Sequence, residues 1–173
     1  MMDTNSSSSI AERLAAVQAI SEMKARYFRL MDTKQWGEWR QVFAADAEMD
    51  MSGEAASLRS MGFELPENVS LTWRGAENIG AAVSAALENV TTVHHGHMPE
   101  IEVLSGTRAR GIWAMEDVVL YGAGAPVAGF RGYGHYFESY TKFGDRWVIQ
   151  TIRLVRLCVR AISATNPQLR TDR

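Results

Sequence analysis

The sequence predicts an α+β fold, with helices first and laid across one face of a curved antiparallel sheet that follows. Two observations predict it. Apolar residues before Thr91 recur at steps of three or four, the helical period, whereas after Thr91 the chain turns to β-branched and aromatic runs broken by turn signals. A third observation sets the scale: 173 residues, 46% of them hydrophobic, suit one domain with one core, and no internal repeat shows.

In chain order, the polar start "MMDTNSSSSI" reads as a disordered tail through residue 9. Ile10, Leu14, Val17, Ile20, Met23, Tyr27 and Met31 then form one apolar stripe, so residues 8 to 31 are expected to be helical with Tyr27 facing inward. In "DTKQWGEWRQVFAADA", Asp32 followed by Gln35 resembles a capping box and predicts a second short helix through Trp36, Trp39, Val42 and Phe43, paired with the first as a hairpin. Residues 52–73 show no clean period and read as a lid. "GAENIGAAVSAALENV" gives a third helix, with Ile79, Val83 and Leu87 on one side. "TTVHHGHMPEIEVL", "RARGIWAMEDVVLY", "GFRGYGHYFESYTKF" and "RWVIQTIRLVRLCVRA", joined by "SGT", "GAGAP" and "GD", read as a four-strand antiparallel meander in which Gly132 and Gly134 permit bending. The domain is thus expected over residues 10–165, with a C-terminal tail over 166–173.

A net charge of −2 without any run of lysine or arginine argues against nucleic acid as a partner. No run of about 18 apolar residues suggests a membrane span, and the start lacks the pattern of a signal peptide, so a cytoplasmic location is expected. Cys158, the one cysteine, has no partner for an internal disulfide and is expected to be a small buried side chain.

"TTVHHGHMPEI" gathers His94, His95 and His97, three of the chain's four histidines. On a regular strand His95 and His97 share a face and His94 points the other way, unless a bulge intervenes. His-x-His is a metal-ligand spacing, and the segment approximates a cupin motif with its glutamate too near. No further Cys or His cluster completes a four-ligand site, so no metal is expected. The competing chemistry is proton transfer, for which imidazole is suited near neutrality, provided a carboxylate orients it. A merely hydrogen-bonded or exposed strand histidine is the plain structural alternative.

"ARYFRLMDTKQW", "VHHGHMPEIEV", "GIWAMEDVV" and "DRWVIQTIRLVR", in this order and at these separations, resemble the SnoaL-like group of the nuclear transport factor 2-like superfamily. Within it they are most similar to the bile acid 7-alpha-dehydratases and more distantly to the scytalone dehydratases. The resemblance implies a cystatin-like, cone-shaped α+β barrel around a long helix. It also implies a cofactor-free acid/base pocket in the open mouth, and a homo-oligomer, trimer rather than dimer. The pocket positions of the bile acid enzymes carry over to Tyr27, Asp32, His94, Asp117 and Arg156, all matching in type.

Each has a structural reading beside the functional one. Tyr27 is a core residue or a donor to a substrate oxygen; Asp32 caps the second helix or orients His94; Asp117 is an exposed strand-end charge or a buried, paired carboxylate. Arg156 neutralises a carboxylate, holds an acidic group of the substrate or makes a plain structural ion pair. His135 lines the pocket or an oligomer interface. Departures bear on substrate: Met31 and Met51 stand where scytalone dehydratase has tyrosines, and Val119 where it has a histidine. These observations lead to a cofactor-independent, dehydratase-like lyase using His94 and Asp32 on a small hydrophobic cyclic, steroid-like substrate. An isomerase or cyclase with the same pocket, and a non-catalytic ligand-binding or assembly module, are the alternatives.

Overall fold

The computed structural model describes residues 9–163. Both expected tails lie outside the described residues, except Ser9, which instead opens the first helix. Its hydroxyl accepts from the Glu12 N–H at 3.2 Å, and its own N–H donates to the Glu12 carboxylate at 2.7 Å, a complete capping box. Helix α1 runs Ile10–Asp32, and its buried residues include Ile20, Met23, Tyr27, Phe28 and Met31. The expected stripe starts late, because Ile10 and Leu14 are exposed.

The second expected helix shrinks to one turn, α2 (Trp36–Trp39), followed by a 3-10 turn over Arg40–Val42. Asp32 does not cap it: Asp32 lies in the last turn of α1, and the N-cap of α2 is Gln35, which makes no side-chain cap hydrogen bond. The segment that follows departs furthest from the sequence reading. It contains strand β1 (Phe43–Asp50), helix α3 (Glu54–Ser60) and the short strand β2 (Thr72–Arg74), none of which the periodicity revealed. The alanines and acids of "FAADAEMD" have low strand propensity, and β1 forms because β6 and β2 flank it on both sides. Helix α4 (Ala76–Ala86) buries Ile79 as expected.

Strands β3 (Thr91–Val103), β4 (Arg108–Leu120), β5 (Gly129–Phe143) and β6 (Arg146–Ile162) form the expected meander. The sheet has six strands in the order β2-β1-β6-β5-β4-β3. It is mixed rather than wholly antiparallel, because β1 runs parallel to β6, with Met49 opposite Ile152. Helices thus pack against a curved sheet in the cone-like α+β arrangement. Period-two alternation turns Trp113, Met115 and Asp117 of β4, and Phe130, Tyr136, Glu138 and Tyr140 of β5, to the buried face of the sheet. At the centre the Tyr27 ring lies 5.4 Å from Phe28, 5.5 Å from Trp39 and 6.2 Å from Tyr136.

Two of the register shifts in the sheet re-aim side chains near its open end. In β3 the register shifts between Gly96 and Pro99. In β6, Gly134 pairs with Arg156 but Tyr133 pairs with Cys158, leaving Leu157 as the extra residue. The bulge corrects the expectation for Cys158, which is exposed: one inserted residue moves everything beyond it to the other face.

A buried ion pair, Lys24 with Glu138, crosses the core. No helix among the described residues is long and apolar enough to cross a membrane.

Candidate active site

The site is built where the end of α1 meets the start of β3. On β3, Thr92 and His94 share the inward face opposite Val119 and Asp117 of β4. The His94 ring lies flat against Phe28, with centroids 6.1 Å apart and planes 15° from parallel. Phe28 reaches that position because Gly96 has no Cβ; a methyl there would collide with the phenyl edge. Asp32, in the last turn of α1, grips the base of β3 with both carboxylate oxygens. Oδ2 accepts from the His94 backbone N–H at 2.8 Å, while Oδ1 accepts from the Thr92 hydroxyl at 2.8 Å and lies 2.6 Å from His94 Nδ1. A carboxylate only accepts, so His94 carries its proton on Nδ1 and leaves the Nε2 lone pair free. Nε2 lies 3.9 Å from Asp117 Oδ2, too far for a hydrogen bond but close enough for one reacting group to lie beside both.

Asp117 is buried and held by the Arg156 guanidinium through two parallel hydrogen bonds, Nη1 to Oδ1 at 2.8 Å and Nη2 to Oδ2 at 2.6 Å. Arg156 Nε donates to Glu54, the first residue of α3, so helix α3 is tied to the strands by that ion pair. Gly132 of β5 makes this packing possible, since a Cβ there would fall on Arg156 Nη1 and Asp117 Oδ1. Burial works against the Arg156 charge, but the hydrogen bonds and charge of Asp117, with Glu54 behind them, more than offset it and hold the guanidinium protonated. For Glu54 the balance tips the other way: burial lifts its carboxyl above the ordinary range despite Arg156.

These groups face a cavity of about 310 Å³ whose remaining wall is apolar, including Met31, Met49, Met51, Phe63, Trp73 and Leu154. Three phenols, Tyr27, Tyr121 and Tyr136, also border it. Burial, above all, raises all three, Tyr121 to about 12, with added repulsion from Glu54 and Asp117 in the case of Tyr121. They are neutral hydrogen-bond donors at physiological pH rather than sources of protons.

Of the residues singled out in the sequence, Tyr27, His94, Asp117 and Arg156 line this cavity, and Asp32 stands directly behind His94. Arg156 spends its donors on Asp117, Glu54 and Met115 Sδ, the last at 3.6 Å, so its partners are protein carboxylates rather than a free acidic group. Asp117 is not the exposed strand-end charge of its structural reading. His95 is exposed near Glu116, His97 is exposed beside the β3 bulge, and His135 packs on Phe137 away from the cavity. Among the described residues no three of His, Cys, Asp and Glu are grouped as a metal site requires. The residues 52–73 do border the cavity, through Glu54, Leu58, Phe63 and Leu71. Glu54 escaped the sequence reading because nothing local marks it. Tyr136 could have been found from its period-two spacing to Gly132 and Gly134 on β5.

A family model described as the SnoaL-like domain matches residues 12–153. "Probable cyclase FGR4" of Gibberella zeae is 26% identical over 153 residues, covering 86% of this chain and 95% of that protein. Among solved structures, a protein of Novosphingobium aromaticivorans provisionally named a scytalone dehydratase superposes with a TM-score of 0.71 at 19% identity, over 95% of this chain and all of that one. A hexachlorocyclohexane dehydrochlorinase, LinA-type3 of Novosphingobium barchaimii, gives a TM-score of 0.71 at 17% identity, over 91% and 97% of the respective chains. At such identities the two structures show a shared fold.

Proposed function

This chain belongs to the SnoaL-like domain family, and on that premise we propose that it is a cofactor-independent, dehydratase-like lyase in which His94 and Asp32 act as the acid-base pair on a small hydrophobic cyclic substrate. The observation that carries the reading is the free Nε2 of His94, aimed past Asp117 into an apolar cavity while Asp32 holds Nδ1. Names of similar proteins, a cyclase, a dehydratase and a dehydrochlorinase, favour the lyase and isomerase classes. Agreement in type with the bile acid 7-alpha-dehydratases at Tyr27, Asp32, His94, Asp117 and Arg156 supports the same choice and makes hydroxysteroids the first compounds to assay.

His94 Nε2 takes the proton from a carbon activated by a neighbouring carbonyl. Asp32 stabilises the imidazolium that results. Tyr136, a neutral phenol backed by a hydrogen bond from Tyr27, donates a hydrogen bond to the oxygen on which negative charge develops. The carbon–oxygen bond then breaks, and the imidazolium returns its proton to the departing hydroxide. The products are an alkene and water, and His94 is regenerated neutral. Asp117, held in place by Arg156, keeps a carboxylate oxygen 3.9 Å from Nε2, beside the path of the transferred proton.

A second reading, isomerisation or ring closure, is favoured by the cyclase name of the Gibberella relative. Incubating hydroxysteroids and other cyclic hydroxyketones in D₂O separates the two by mass. Dehydration removes water, whereas isomerisation keeps the formula and incorporates deuterium. His94→Ala is expected to lower either rate by about 100- to 10,000-fold. Undiminished turnover in that variant defeats both readings, and binding without mass change points to a ligand-binding module.

A further inference from the structure

Lys34 occupies a position its residue type does not favour. Helix α1 closes with a Schellman motif, in which the Lys34 N–H reaches Met31 O at 3.1 Å and the Gln35 N–H reaches Leu30 O at 2.8 Å. This geometry places Lys34 in the left-handed region, at φ +59°, where glycine is usual; among the described residues no other non-glycine has a positive φ. A strained residue kept against its backbone preference raises the question of what its side chain does.

The side chain leads to the acid-base pair. The Lys34 ammonium donates to Thr92 Oγ1 at 3.2 Å, and its Nζ lies over the Trp36 ring, 5.5 Å from the centroid. An ammonium has no lone pair, so Thr92 Oγ1 must accept from it. The buried Thr92 hydroxyl then spends its single hydrogen on Asp32 Oδ1, at 2.8 Å. Asp32 in turn accepts from His94 Nδ1. Each link has one allowed direction, fixed at one end by the ammonium, which only donates, and at the other by the Asp32 carboxylate, which only accepts. Lys34 also borders a polar hollow of about 370 Å³, lined as well by Asp32, Glu88 and Asn89. Its charge can therefore keep water even though burial lowers its pKa somewhat.

We infer that Lys34 is a positioning residue for His94, acting through Thr92 to keep the Asp32 carboxylate aligned on Nδ1, the alignment on which the tautomer with Nε2 facing the cavity depends. The inference rests on the reading of His94 as the base, yet its test needs no substrate. The other charges around the ring, Asp117 with Arg156 and Glu54, lie on the cavity side and do not touch Nδ1.

The test records the imidazole nitrogens of ¹⁵N-labelled protein by long-range ¹H–¹⁵N NMR, alongside thermal unfolding. Wild-type His94 is expected to show the proton on Nδ1 alone. Lys34→Gly relieves the backbone and is expected to unfold at or above the wild-type temperature, yet to convert His94 into a mixture with at least about a tenth of the other tautomer. Lys34→Met and Thr92→Val should do the same, whereas Lys34→Arg and Thr92→Ser should restore one tautomer. If a substrate is known, kcat should follow the tautomer fraction with KM little changed. A folded Lys34→Gly protein whose His94 keeps the proton wholly on Nδ1 overturns the inference. Loss of catalysis by His94→Ala is a separate result, so failure of the base assignment and failure of the lysine's role remain distinguishable.

Discussion

Lys24–Glu138 and Arg156–Asp117 are both ion pairs withdrawn from water, each with its carboxylate on the inward face of the sheet, but only the second lines the apolar cavity. Around Lys24 every direction is closed: its ammonium sits 3.9 Å from the Tyr27 ring centroid, 4.0 Å from that of Tyr136 and 4.7 Å from that of Phe28. Glu138 is closed as well, accepting the Tyr140 hydroxyl at 2.6 Å, which itself accepts from Trp113 Nε1 at 2.7 Å. Arg156 and Asp117 are just as fully paired to each other, yet the His94 ring and open volume lie beside them. The same local chemistry serves stability where aromatic packing seals it and serves a site where packing stops.

The largest effect that would break this contrast concerns the sealed pair. Lys24→Met leaves Glu138 charged and unpaired among aromatic rings, which is expected to cost about 3–5 kcal/mol in urea unfolding. Adding Glu138→Leu removes the orphaned charge and should recover most of the loss. A single variant within about 0.5 kcal/mol of wild type would mean that water reaches Lys24 and that the two pairs are not different in kind.

Next in size is the close approach that makes the open pair possible. Gly132→Ala drives a methyl into the Arg156–Asp117 contact and is expected to cost about 1–3 kcal/mol. Because that pair faces the cavity, the variant should also weaken binding of any pocket ligand, measured by calorimetry on protein still folded. Lys24→Met, compared at equal folded fraction, should leave binding closer to wild type.

This contrast also explains which parts of the molecule the sequence disclosed. Tyr27, the four strands β3 to β6 and Asp117 were legible, because period and residue type suffice to place a side chain on an inward face. The resemblance carried Asp32 to His94, which spacing alone left undecided against a helix cap. Glu138 sits in "YFESY" much as Asp117 sits in "AMEDVV", and what separates sealed from open is the helix packed above it, which no local pattern records. Strand β1 was missed for a related reason: it is specified by its neighbours β6 and β2, not by its own alanines and acids. Cys158 was misplaced by the bulge at Leu157, since a single extra residue inverts an otherwise regular alternation. Lys34 was hidden because a left-handed φ is a property of the helix end, not of lysine.

The smallest expected effect sharpens the comparison at its edge, where α3 closes over the open pair. Burial raises the Glu54 carboxyl above its ordinary value, with Arg156 only partly opposing it. The folded protein therefore holds this proton to higher pH than the unfolded chain does, so Glu54 favours folding below the unfolded value of 4.5, a benefit lost as pH rises through the folded value. Wild type should thus gain stability relative to Glu54→Gln as pH falls from 7 toward 4.5, by less than about 1 kcal/mol, in paired thermal unfolding scans. The window tests packing rather than pairing. If the two proteins follow parallel curves, water already reaches Glu54 under α3, and the boundary between sealed and open lies deeper, at Arg156 itself.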